Sequence, residues 1–141
     1  LEDHMVLQRD QQACIWGGVA DPGTVVTVAV PQRNWSQAAG GVTGLPPGQR
    51  IGTLAYKWTV CVPPTPGGGP YTVTVTSRDS PHQLLLRNVL FGDVFLCSGQ
   101  SNMQMTVRQT FDGPSEVERS RFPLIRLFTL KPAVAPAEQE E

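Results

Sequence analysis

Histidine is scarce: the 141 residues contain two, His4 and His82, and none follows position 82. Any reaction that uses histidine as a base must draw on those two or on residues outside this stretch. Charge is scarce too. Charged residues make up 16% with a net charge of -1 and no basic cluster, which argues against nucleic acid and anionic membrane surfaces as partners. No apolar run approaches the ~20 residues of a membrane helix. Cysteine is limited to Cys14, Cys61 and Cys97, without paired Cys/His spacing, so no metal site is expected; no organic cofactor is implied either. The chain starts at Leu1 without a charged-then-apolar leader. We therefore expect a removed signal peptide or an internal piece, with cuts at both ends.

What is abundant points to β structure. Hydrophobic residues reach 40%, enough to bury a core, and the 13 prolines exceed the usual share of about 5%. Short strands are expected around Met5 to Gln8 and Ala13 to Trp16, the latter stopped by Gly17-Gly18. Asp21-Pro22-Gly23 reads as a turn in which glycine takes the positive φ. Thr24 to Val30, Trp58 to Val62 and Tyr71 to Ser77 follow as strands, with Tyr71 to Ser77 alternating most cleanly, and Leu84 to Phe91 then leads to Gly92. Ala38 to Gly52 reads as a loop. This spacing predicts an antiparallel β-sandwich or jelly-roll-like module over residues 1–91. A Cys14–Cys61 disulfide is possible if the chain is secreted, although sequence cannot assign it. Cys97 reads as an inert buried thiol.

At Gly92 the pattern changes. Val94 to Cys97 is a continuous apolar run, as in a strand covered on both faces. A helix over about 102–110, the turn Asp112-Gly113-Pro114, a helical turn over 115–121 and a strand from Leu124 to Leu130 complete one βαβ unit. Lys131 to Glu141 has no core pattern. Residues 92–141 thus read as the truncated start of an α/β domain. Ser101 stands at the first strand-to-helix junction, where a hydroxyl meets free backbone N–H groups. Gly99-x-Ser101 matches half of the esterase elbow G-x-S-x-G, Met103 replacing the second glycine. The competing reading is that Ser101 or Asn102 caps the helix, with Met103 and Met105 filling the core beneath it.

Two further motifs carry local readings. Asp79-Ser80-Pro81-His82 has the spacing of a catalytic Asp-x-x-His pair but reads as a solvated turn. Asn34-Trp35-Ser36 matches the N-glycosylation acceptor triplet. Trp16, Trp35, Trp58 and Tyr71 offer aromatic faces that a sugar could stack on, although a lone Trp on a strand usually packs in the core.

The string Asp93-Val-Phe-Leu-Cys-Ser-Gly-Gln-Ser-Asn-Met-Gln-Met105 closely resembles the first block of the sialate O-acetylesterases, a branch of the SGNH-type hydrolases. Asp3-His4-Met5-Val6-Leu7-Gln8-Arg9 and Ile15-Trp16-Gly17 are similar to the family's opening. So are Pro22 to Val28, Gly68-Gly69-Pro70-Tyr71 and Leu90 to Val94; the Ala38–Gly52 stretch is not. The resemblance implies that Ser101 is the nucleophile and that its backbone N–H is one oxyanion donor. A glycine and an asparagine from later blocks would add donors, and an Asp-x-x-His near the end of a much longer chain would supply base and acid. It also implies an O-acetylated sialic acid or glycoconjugate as substrate and a lysosomal or secreted location. By this reading the 141 residues are an N-terminal portion, inactive without the downstream part of the same polypeptide. The alternatives are an acetylxylan-type sugar esterase and a non-catalytic, sugar-binding β-sandwich with a vestigial esterase start.

Overall fold

In the computed structural model, which describes residues 2–47 and 49–129, the alternating runs become strands. In chain order these are β1 (Val6–Gln8), β2 (Ala13–Val19), β3 (Val26–Val30), β4 (Trp35–Ala38), β5 (Val42–Gly44), β6 (Tyr56–Val62), β7 (Gly68–Ser77) and β8 (Ser80–Gly92). The described residues are mostly β-sheet with few helices. They divide into two units, one up to Val94 and one from Phe95 onward.

In the first unit, β1-β8-β7-β3-β4 form one sheet and β2-β6-β5 another. Alternation sets the buried side of each strand. Val26, Val28 and Val30 of β3, with Val73 and Val75 of β7, are buried, and the residues between them are more open. Ile15 from β2 and Trp58, Val60 and Val62 from β6 join them in one apolar cluster, with Leu86, Val89 and Phe91 of β8. Fully burying such a side chain stabilises by about 1.5–3 kcal/mol. Tyr71 closes the cluster at one end, its ring edge-on to Phe91 at a centroid distance of 5.8 Å.

Several expectations change. β1 pairs with β8 in parallel, so the five-stranded sheet is mixed rather than antiparallel. β2 continues through Gly17-Gly18 to Val19, because those glycines answer a packing need. Gly17 faces Trp58 in register, and a Cβ there would come within 2.9 Å of the indole. The Ala38–Gly52 stretch contains β5, which pairs with β6 and brings Val42, partly buried, against the core. The Asp21-Pro22-Gly23 turn forms, but Gly23 does not take a positive φ. Its N–H instead donates to Asp21 Oδ1 at 2.7 Å, an Asx closure.

Cys14 and Cys61 lie directly opposite one another in the β2–β6 ladder, between the inward pairs Ala13–Val62 and Ile15–Val60. Both therefore project from the outer face, and they are joined by a disulfide across a sequence separation of 47. Cys97 is free and exposed, not the buried thiol expected.

The second unit does not form the expected βαβ unit. Neither Val94 to Cys97, which crosses from the first unit into the second, nor residues 124–129 are in strands; Leu130 and the 131–141 tail lie outside the described residues. A parallel strand needs hydrogen-bonded neighbours, and none of the described strands pairs with these runs. Their side chains stay open: Phe95 is 81% exposed and Leu127 is 93% exposed, so the burial expected for a doubly covered strand is absent. The helix expected over 102–110 is instead two short 3₁₀ turns, Ser101–Gln104 and Val107–Gln109. The second is closed by a capping box between Thr106 and Gln109.

Helix α1 spans Gly113–Arg119, two residues earlier than the expected turn, with Pro114 in its first turn. Asp112 before it is left-handed and accepts a hydrogen bond from Ser115 Oγ at 2.7 Å. Gly113 is buried where α1 meets the preceding 3₁₀ turn. A Cβ there would stand 2.3 Å from the Val107 carbonyl oxygen and 2.8 Å from the Arg108 backbone.

Two outcomes are expected. Reducing Cys14–Cys61 releases a loop whose closure is worth about 4 kcal/mol on a chain-entropy estimate. Urea unfolding with and without reductant should show a loss of about 2–4 kcal/mol; an unchanged midpoint would contradict the bond. Gly113→Ala forces backbone apart, so hydrogen exchange over 107–119 should accelerate while β3 and β7 keep their protection. Unchanged exchange over 107–119 would contradict the packing of α1.

Candidate active site

The strand leading toward Ser101 is fixed by residues from the other end of the first unit. β1 lies parallel to the end of β8, with Val6 opposite Leu90, Leu7 opposite Phe91 and Gln8 opposite Gly92. The Arg9 N–H extends this ladder to the Gly92 carbonyl at 2.9 Å. Beyond the ladder side chains take over: Val94 N–H donates to Gln8 Oε1 at 2.9 Å, and Arg9 Nε donates to Asp93 Oδ1 at 2.8 Å. The bond to Asp93, then its charge, with Asp10 behind it, raises the Arg9 guanidinium above its already high range. Arg9 therefore stays charged at any working pH. Both partners are about half exposed, so the pair fixes position more than it stabilises.

At the upstream end of the same contact, Asp3 Oδ1 accepts the Arg87 N–H at 2.7 Å and the Arg87 carbonyl accepts the His4 N–H at 2.9 Å. Asn88 Nδ2 lies 2.7 Å from His4 Nδ1, both residues being left-handed. His4 is thus engaged in seating β1 on β8.

In the second unit, Gln100 is extended (φ -80, ψ -169) and the chain turns at once into the 3₁₀ segment that begins with Ser101. Met103 N–H donates to the Gln100 carbonyl at 2.9 Å and Met105 N–H to Asn102 at 3.2 Å, which closes the turn. No side chain caps it, so the expected capping role of Ser101 or Asn102 is not found. Ser101 is exposed, and its hydroxyl makes no hydrogen bond among the described residues. As first residue of the turn, Ser101 also has a backbone N–H without a partner inside the turn. Met103 and Met105 are 56% and 60% exposed, so they do not fill a core here. The Met103 side chain folds back over Gly99, where a Cβ would come within 2.6 Å of its Cγ.

Asp79 and His82 do not meet as an acid–base pair. Arg78-Asp79 is the two-residue loop between β7 and β8, with Ser77 opposite Ser80. Asp79 N–H donates to Ser77 Oγ at 3.3 Å and His82 N–H to Ser80 Oγ at 3.2 Å, the local bonds of a turn. Among the described residues, no group of three or more His, Cys, Asp or Glu converges as metal ligands. No described helix is long and apolar enough to cross a membrane.

The aromatic side chains are committed to packing. Trp58 is buried, while Trp35 and Tyr71 pack partly buried against the core. Trp16 is half-buried and carries the Lys57 ammonium 4.7 Å from its ring centroid. Asn34 is exposed in the turn between β3 and β4. Gln8, Arg9 and Asp93 sit in recognisable strings, yet nothing in the sequence couples positions 84 residues apart.

No family model matches the chain. It is 33% identical to human sialate O-acetylesterase over 144 aligned residues, covering all of this chain and 26% of that protein. The rat sialate O-acetylesterase is 35% identical, with 99% of this chain and 25% of that protein aligned. A carbohydrate acetylesterase from Xanthomonas citri, solved as a crystal structure, superposes with a TM-score of 0.67 and 30% identity, covering 86% of this chain and 24% of its own. The chain spans about a quarter of the length of the relatives it matches. With its own length aligned almost end to end, it belongs to the sialate O-acetylesterase family.

Proposed function

We propose that this chain carries the nucleophile of an esterase that removes O-acetyl groups from sialic acids. The observation that carries the reading is Ser101 itself. It lies in the string Cys97-Ser98-Gly99-Gln100-Ser101-Asn102-Met103, at a switch from extended backbone to a helical turn, exposed and with its hydroxyl uncommitted among the described residues. The Ser101 hydroxyl attacks the acetyl carbonyl while a base takes its proton, and the Ser101 N–H faces the developing oxyanion. The sugar hydroxyl leaves with the proton, and water then cleaves the acetyl-serine to release acetate.

The base and its orienting acid are proposed to come from an Asp-x-x-His elsewhere in the full-length polypeptide, since no histidine follows Ser101 here. These 141 residues alone are therefore proposed to be inactive. In the finer architectural proposal, residues 1–91 are a β-sandwich module, and residues 92–141 contribute to an α/β SGNH-type domain whose strands pair only with the rest of that sheet. A lysosomal or secreted location accords with the disulfide on the outer face of β2 and β6.

The similarity to a carbohydrate acetylesterase supports a second substrate reading, another acetylated sugar such as acetylxylan. The sugar-binding reading draws no support from the aromatics it invoked, which are packed or covered.

The test is acetate release by the full-length protein from O-acetylated sialic acid and from acetylated xylo-oligosaccharide. Ser101→Ala should lower turnover by about 10⁴-fold or more, whereas Ser98→Ala should change it by less than about 10-fold. Retained activity in Ser101→Ala would sink the nucleophile assignment. Preference for the xylo-oligosaccharide would replace the sialate with the second substrate.

A further inference from the structure

The acceptor triplet Asn34-Trp35-Ser36 occurs once in the 141 residues; the other asparagines, Asn88 and Asn102, precede Val-Leu and Met-Gln. Its placement is specific. After β3, Pro31–Arg33 make one 3₁₀ turn, and Asn34 ends it in the left-handed region (φ 50, ψ 37) with its N–H on the Pro31 carbonyl at 3.0 Å. Asparagine adopts this conformation at low cost, so the sequence suits the turn without strain.

The turn's other side chains are tied to the neighbouring strand. Gln32 Oε1 accepts the Thr72 N–H at 3.3 Å, and the Arg33 guanidinium stands 5.9 Å from the Tyr71 ring centroid. Trp35 packs partly buried against the core and holds the start of β4. Asn34 is left at the apex, exposed, its side-chain amide without a hydrogen bond among the described residues. Ser36, two residues on, is also exposed, on a strand that forms the edge of the five-stranded sheet.

An acceptor triplet with Asn34 and Ser36 exposed matters only in a chain that enters the secretory pathway, and a separate feature bears on that. Cys14 and Cys61 are joined on the outer face of the β2–β6 ladder, with Cys14 exposed. A disulfide open to solvent persists in oxidising compartments and is reduced in the cytosol. The compartment that closes this bond in a eukaryotic cell is the one in which asparagine is glycosylated.

We propose that Asn34 is an N-glycosylation site. The co-substrate is a lipid-pyrophosphate-linked oligosaccharide. The Asn34 Nδ2–C1 bond forms as the C1–O bond to pyrophosphate breaks; the amide gives up one proton and the lipid pyrophosphate leaves. The glycan then stands beside the outer edge of β4, whose exposed, short, polar strand presents unpaired backbone groups. A bulky polar group there blocks edge-to-edge pairing with another chain.

The experiment uses the full-length protein from its native source and from a secreting eukaryotic host. Peptides are mapped without reduction and after amidase release of glycans in heavy-oxygen water. The expected result is an oxidised Cys14–Cys61 peptide pair and conversion of Asn34 to heavy-oxygen aspartate, with Asn88 and Asn102 unchanged. Ser36→Ala leaves Asn34 and its turn in place and should abolish the conversion, along with the gel mobility shift on deglycosylation. An oxidised Cys14–Cys61 pair with Asn34 unconverted overturns the proposal. So do free Cys14 and Cys61 thiols in the native protein, because the compartment argument then fails.

Discussion

Strand β8 is gripped from both sides where it ends. β7 pairs with it from Ser77–Ser80 to Gly68–Phe91, and β1 lies parallel along Leu90 to Gly92. β8 also supplies Leu86, Val89 and Phe91 to the shared core. The parallel contact is the unusual part, because it brings residues 6–8 beside residues 90–92 and leaves Gln8 and Arg9 to bind the next two residues, Val94 and Asp93. Loss of that contact would remove the backbone ladder, the Asn88–His4 seat and the Arg9–Asp93 pair together. The point at which the chain leaves the first unit is thus over-determined, with both Asp93 and Val94 held by residues of β1 and its extension.

The second unit is built on a different principle. Its local order comes from short-range devices: the Met103–Gln100 and Met105–Asn102 closures, the Thr106–Gln109 capping box, and Gly113 packed on the 107–108 backbone. Its large apolar side chains contribute little to that order, since Phe95, Leu96, Phe111, Leu127 and Phe128 are open. Apolar sequence is therefore not the same as a formed strand. A run such as Val-Phe-Leu-Cys is apolar enough for a central parallel position, but its backbone groups need partners before the conformation is favourable.

The same distinction explains what the sequence disclosed. Period-2 alternation placed β3, β6 and β7, because each buries every second residue against one core. It did not disclose pairing. β1 is three residues long, and nothing in Val6-Leu7-Gln8 specifies a parallel partner so far along the chain. Gly17-Gly18 read as an interruption because glycine normally breaks strands, whereas here the missing side chain makes room for Trp58. Cys14 and Cys61 could be suspected of pairing, but only the β2–β6 register sets them opposite each other. Around Ser101 the switch from extended to helical backbone was legible, while the length of the helix was not. The burial expected for Cys97 and Met103 fell with the strand and helix on which it depended.

The most direct test of Ser101 as an activated nucleophile is covalent. The full-length protein would be treated with a serine-reactive fluorophosphonate and its peptides read by mass spectrometry. One phosphonylated site is expected, Ser101, with the label lost when the native fold is denatured before labelling. Labelling at Ser98 instead, or no label in native protein, would contradict it.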